Sequence, residues 1–224
     1  AQSMTQKPLE EEQIQLFFSD IKPLAASKVL VRLENETLSI GQRILSQGLQ
    51  LTVRGQDKIG IIGPNGVGKS TLLAKLHQLL SGKREISLGF MPQDYQETLQ
   101  LDLSPVEFLS QTGHKEEIQK IQSHLASLNF SYPEMHHQIH SLSGGQQGKL
   151  LLLNLVLRKP NFLLLDEPTR NFSPTSQPEI RKLFANYSGG LVTVSHDRRF
   201  LKEVCTSIYS LTEHGLEVVD LQDL

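Results

Sequence analysis

Apolar positions fall along this chain in two rhythms. From Lys28 to Val53 they form short runs, KVLVRL, TLSI and LQLTV, closed by Arg54-Gly55-Gln56-Asp57. Such runs between turn residues predict antiparallel strands and hairpins. The rhythm then changes to βα alternation. Ile59 to Ile62 reads as a buried strand, and apolar residues at helical spacing follow from Leu72 to Leu80. EISLGFMPQ at 85–93 is the next strand signal. From Asp94 to Ser141 the pattern is helical and polar. SPVEFLSQ predicts a short helix with Ser104 as N-cap and Pro105 in its first turn, and KEEIQKIQSHLASL at 115–128 has an amphipathic helical period. A helix over about Gln146 to Leu157 leads through Lys159-Pro160 into the apolar strand FLLLD. After residue 174 the order is helix (PEIRKLFANY), strand (LVTVS), helix (RRFLKEV) and two strands (SIYSL, LEVVD). The expected fold class is α/β: a mostly parallel core sheet, an antiparallel β subdomain before it, and a small helical subdomain over about 94–160.

The first turn of the alternating part carries chemistry. GPNGVGKS at 63–70 fits G-x-x-x-x-G-K-[ST], between a buried strand and a helix as that phosphate loop requires. Gly63, Pro64, Asn65, Gly66, Val67 and Gly68 form the loop, and its glycines let consecutive N–H groups turn toward phosphate oxygens. Lys69 reaches the outer phosphates, Ser70 can ligate Mg²⁺, and Thr71 follows in the first helical turn. This pattern predicts a nucleoside triphosphate site. Asp166 ends the apolar run from Phe162, where ligands bind in open α/β sheets. Its expected role is to hold Mg²⁺, with Glu167 aligning or deprotonating the attacking water. A buried carboxylate pair is costly without a cation, which argues against a purely structural role.

Composition narrows the setting. At 224 residues the chain can bury one core with a small satellite, and a net charge of −2 gives no overall footprint for nucleic acid. DNA is therefore not expected as a partner. No run approaches the roughly 18 apolar residues of a membrane span, so no direct membrane insertion is expected. The single cysteine, Cys205, suits a reducing compartment, and the expected location is the cytoplasm. Cys205 reads as a packing residue. HHQIH at 136–140 has no cysteine or carboxylate partners beside it and reads as a polar loop. Residues 1–26 read as a tag remnant and the end of a linker, with Phe17-Phe18 docking it onto the core, and the domain proper as 27–224.

A second glycine-rich segment, HSLSGGQQGK at 140–149, precedes FLLLDE by about twenty residues; Gln93 lies upstream, and SHD occupies 195–197. Together with the phosphate loop these motifs resemble an ABC-type ATPase domain from about residue 28 to 220. Ser143, Gly144, Gly145 and Gln146 open a helix and so make another anion-binding N-terminus. The resemblance implies ATP and Mg²⁺ as cofactors, Gln93 contacting Mg²⁺ and the water, and His196 holding the γ-phosphate. It also implies a second ABC domain, paired head to tail so that each lends its signature segment to the other's site, with ATPase activity only in the pair. The family's base-stacking aromatic is replaced here by Ile40. The segments DEPTRNFSP and SHDRRFL resemble ABC-F proteins, specifically the second ATPase domain of the antibiotic-resistance branch (Msr, Vga and Lsa type), for which the implied partner is the ribosome. The alternatives are the ATPase subunit of a membrane transporter and a nucleotide-gated scaffold without turnover.

Overall fold

The computed structural model describes residues 16–224, so most of the predicted linker end lies outside the described residues. The antiparallel part is simpler than the pattern predicts. Two long strands, β1 (Val29–Ile40) and β2 (Arg43–Arg54), pair as one hairpin with several register shifts. The three apolar runs belong to only two strands because the bulged register lets each strand continue through its polar positions.

Six strands form the core sheet in the order β4-β5-β6-β3-β7-β8: β3 (Lys58–Ile62), β4 (Leu88–Met91), β5 (Phe162–Asp166), β6 (Gly190–Val194), β7 (Ser207–Thr212) and β8 (Gly215–Val219). All neighbours are parallel except β7 and β8. Every residue of β5 and β6 is buried, which is why these strands read as unbroken apolar runs. The strand in the 85–93 stretch is confined to Leu88–Met91.

Helix α1 (Lys69–Ser81) follows β3 and packs under the hairpin; Leu72, Leu73, Leu76 and Leu80 share a core with Leu38, Leu49, Phe162 and Val192. The opposite face of the sheet is covered by α5 (Gly144–Arg158), α6 (Gln177–Ala185) and α7 (Arg198–Val204), and this core extends into the small helices α2 (Pro105–Leu109), α3 (Lys115–Ser127) and α4 (Tyr132–His136). Ser104 caps α2 as expected, and a capping box with Glu107 completes its first turn. The HHQIH stretch is more ordered than a polar loop: His136 ends α4, and Ile139 is fully buried in a 3-10 turn. Cys205 is buried and packs in the main core. Of the aromatic pair near the start, Phe18 docks on Phe184 and Tyr187, whereas Phe17 is exposed.

Candidate functional site

The sheet order brings β5, β6 and β3 side by side, and the register aligns Asp166 with Val194 and Val194 with Ile61. The loops leaving these strands therefore emerge at one level. They carry Glu167, His196 and the phosphate loop, while Gln93 follows β4, the neighbour of β5. These four loops enclose a cavity of about 650 Å³. Of the residues expected from the sequence, Ile40, Asn65, Gly66, Gly68, Lys69, Ser70, Thr71, Gln93, Glu167 and His196 line it. Gly63, Pro64, Val67 and Asp166 are not part of its lining; Val67 lines a neighbouring cavity that shares Gly66. Leu45 and Arg170 also line the cavity and were not singled out from the sequence. Arg170 lies in the DEPTRNFSP segment that carries the ABC-F resemblance, but the resemblance gives it no role at the site.

The phosphate loop has the curl that its glycines allow. Gly68, the N-cap of α1, has φ 107, and a Cβ there would lie 2.9 Å from Leu38 and 3.0 Å from Leu45. Both the backbone angle and the approach of the hairpin exclude a larger residue. Lys69 is 7% exposed, and its Nζ donates to the carbonyls of Gly63 (2.5 Å) and Pro64 (2.9 Å). Burial lowers its pKa, opposed by the charges of Glu167 and Asp166. The ammonium thus lies folded back along the loop that must receive phosphate.

Asp166 is 6% exposed. Its Oδ2 accepts a 2.8 Å hydrogen bond from the Ser70 hydroxyl, and its Oδ1 is buried without a partner. Burial raises its pKa, countered by the Ser70 hydrogen bond and reinforced by the neighbouring charge of Glu167. A buried carboxylate with an orphan oxygen, held beside a hydroxyl, is an oxygen-donor set suited to a hard divalent cation. Ser70 and Asp166 are the residues that would hold Mg²⁺, with Gln93 in the same cavity.

Glu167 has φ 49, a left-handed conformation that is strained for a residue with a Cβ. Its backbone N–H donates to the carbonyl of Val194 at 2.8 Å, and its carboxylate accepts from the His196 backbone N–H at 3.2 Å. The same carboxylate meets His196 Nδ1 in a close hydrogen bond. Thr169 Oγ1 donates to Asp197 Oδ2 at 3.0 Å, and Asp197 Oδ1 caps α7 through Phe200 N–H. The segment after the acid pair is thereby tied to the segment that carries His196.

The signature segment lies elsewhere. Ser143 caps α5, accepting from Gln146 N–H at 3.2 Å while Gln146 Oε1 accepts from Ser143 N–H at 3.1 Å. Gln146 Nε2 also donates to Glu134 of α4. Ser143 and Gly144 are exposed, and none of Ser143, Gly144, Gly145 and Gln146 lines the cavity.

Comparisons agree with this geometry. The family model described as ABC transporter matches residues 46–170. The chain is 31% identical over 210 residues to the probable ATP-binding protein YheS of Escherichia coli K12, covering 91% of this chain and 33% of that protein. It is 31% identical over 220 residues to the putative ATP-binding protein YdiF of Bacillus subtilis 168 (94% and 34%), and 26% identical over 223 residues to ABC transporter F family member 2 of Arabidopsis thaliana (96% and 33%). The chain thus spans about a third of the length of these relatives. Among solved structures, the dimeric post-hydrolysis ATP-binding cassette MJ0796 bound to ADP and Pi superposes with a TM-score of 0.70 at 20% identity, covering 85% of this chain and 98% of that one. A bacterial Atm1-family ABC exporter with ATP bound gives 0.71 at 17% identity, covering 96% and 43%. These likenesses establish the P-loop ABC ATPase fold, and ABC ATPase domains bind ATP with Mg²⁺. The chain belongs to the ABC transporter family, as one of its ATP-binding domains.

Proposed function

We propose that residues 27–224, with the helical subdomain at about 94–160, form the ATP-hydrolysing domain of an ABC-F protein whose paired domains close on ATP and so gate ribosome binding, in the manner of the antibiotic-resistance branch. One observation carries the pairing: ten expected site residues share a cavity from which the signature segment is missing. Its first residues, Ser143 and Gly144, are exposed and available to a second domain. The similarity to ABC transporter F family member 2 favours the ABC-F reading, and the segments DEPTRNFSP and SHDRRFL favour the ribosome.

In this reading the loop amides and Lys69 bind the triphosphate, and Lys69 exchanges its two carbonyl acceptors for phosphate oxygens. Ser70, Asp166 and Gln93 would hold Mg²⁺, which would supply the charge that offsets the triphosphate. Glu167 orients a water and takes its proton, and the hydrogen bond from His196 N–H fixes the direction of its carboxylate. His196 side chain, 54% exposed, leaves Glu167 to hold the γ-phosphate. Ser143, Gly144, Gly145 and Gln146 serve the partner's nucleotide, so turnover needs the pair.

The test is co-sedimentation with purified ribosomes of the polypeptide that joins this domain to its partner, with Glu167→Gln and the matching change in the other domain. Pelleting only with ATP is expected. No ATP-dependent pelleting, with the protein instead in the membrane fraction, would replace the ribosome by a membrane transporter.

A further inference from the structure

The segment after the acid pair ends in a residue with no part in nucleotide chemistry. Phe172 is 6% exposed, and its ring fills a notch in α5 left by the missing side chain of Gly148. A Cβ on Gly148 would lie 2.8 Å from Phe172 Cζ, 3.3 Å from Cε1, and 3.1 Å from the Tyr95 hydroxyl. That hydroxyl is buried beside the Asn171 side chain, with no hydrogen bond of good geometry. Three segments therefore meet at one point. Gly148 lies two residues past the signature segment, Tyr95 two residues past Gln93, and Phe172 five residues past Glu167.

The loop between Glu167 and Phe172 has little freedom of its own. It leaves β5 through the strained Glu167, is pinned at Thr169 to Asp197, and is closed by Gln177, whose Nε2 donates to the carbonyls of Phe172 (3.2 Å) and Thr169 (3.5 Å). A conformation such as that of Glu167 persists only where its surroundings over-determine it. A close-packed contact passes on displacement, because an interior has few voids to absorb it.

We propose that Phe172 is a positioning residue: seated against Gly148 and Tyr95, it makes the placement of Glu167 depend on the position of the signature helix α5. A shift of α5, on engagement of its N-terminus by the partner's nucleotide, then moves Phe172 and through it the loop that begins at Glu167. The hydrolytic part of this proposal rests on the function proposed above; the mechanical part rests on packing alone.

A double-mutant cycle in the polypeptide that joins this domain to its partner decides it, because spatial proximity does not by itself establish coupling. Gly148→Ala puts a methyl where the ring now sits, and Phe172→Leu removes the far end of that ring. Gly148→Ala alone is expected to lower kcat at least tenfold while the ATP Kd changes by less than about twofold. It should also speed amide exchange over 167–173. In the Phe172→Leu background the same change should cost at least fivefold less in kcat, and exchange should slow again. Equal losses in both backgrounds, or full turnover by Gly148→Ala, overturn the proposal. If Gly148→Ala does not fold, Phe172→Ala replaces it: lowered kcat at unchanged Kd supports the role, and unchanged turnover removes it. A wild-type pair of domains that neither binds nor hydrolyses ATP would instead defeat the proposed function, and the exchange measurement would still decide the mechanical joint.

Discussion

Replacing Ile40 by tyrosine should strengthen ATP binding without touching the phosphate site. Ile40 ends β1 beside the cavity, 60% exposed, and Leu45 lies on the same wall. A base resting there gains area-based burial: covering about 40 Å² of aliphatic surface at roughly 25 cal/mol per Å² contributes about 1 kcal/mol. An aromatic face in its place supplies stacking of about 1–3 kcal/mol per base. The difference, about 0–2 kcal/mol and about 1 kcal/mol at mid-range, corresponds to a Kd about fivefold lower at mid-range and at most about 30-fold lower. The assay is calorimetric titration of Ile40→Tyr and wild type with ATP, and in parallel with tripolyphosphate, which offers the phosphate loop its ligand but has no base. Tightening for ATP alone is expected, with tripolyphosphate unchanged within about twofold. Unchanged ATP affinity would mean that the base does not lie on this wall. An equal gain for tripolyphosphate would mean that the substitution acts through Gly68, whose approach to Leu38 and Leu45 leaves no slack.

Other outcomes follow from the same geometry. Lys69→Ala removes charge-assisted phosphate contacts worth about 1.5–3 kcal/mol each, so ATP affinity should fall more than tenfold; an unchanged titration would remove Lys69 from the site. Asp166 has a raised folded-state pKa, so its ionised form costs stability above its unfolded value and not below it. Asp166→Asn should therefore gain urea stability relative to wild type as pH rises from about 3 to 7, and a difference independent of pH would refute this. Glu117 behaves oppositely: hydrogen bonds from the Ser110 hydroxyl and the Thr112 and Gln111 backbone hold its pKa at about 2. Its contribution is present above the ordinary carboxylate value of about 4.5 and is lost as pH falls toward about 2, so Glu117→Gln should flatten the acid limb of unfolding over that window. An unchanged acid limb would show that the 110–112 turn does not hold the carboxylate.

Much of this protein is written locally. The phosphate loop, the acid pair, the capped helices and the SHD turn each need particular residue types at short fixed spacing, and a contiguous stretch carries all the information such a motif requires. The apolar runs of β5 and β6 are equally legible, because a strand buried on both faces has few polar positions, here only Asp166 and Thr193, to disguise it. What depends on packing is not legible in that way. The merging of three apolar runs into two bulged strands was decided by register between β1 and β2. Arg170 and Leu45 reached the cavity because the sheet order and the hairpin's fold-over brought them there. Lys58 donates to the carbonyls of Phe184, Ala185 and Tyr187 at the end of α6, contacts that span more than 120 residues of chain. Phe172 lies in DEPTRNFSP and Gly148 in SGGQQGK, but neither segment shows that they touch; one is a ring and the other a gap, and each acquires that meaning only from the other. The chain alone specified which chemistry is present, and the tertiary structure decided which groups share a cavity and which segment stays outside it, because local patterns are set by bonded neighbours and assembly by the one packing that fills the core.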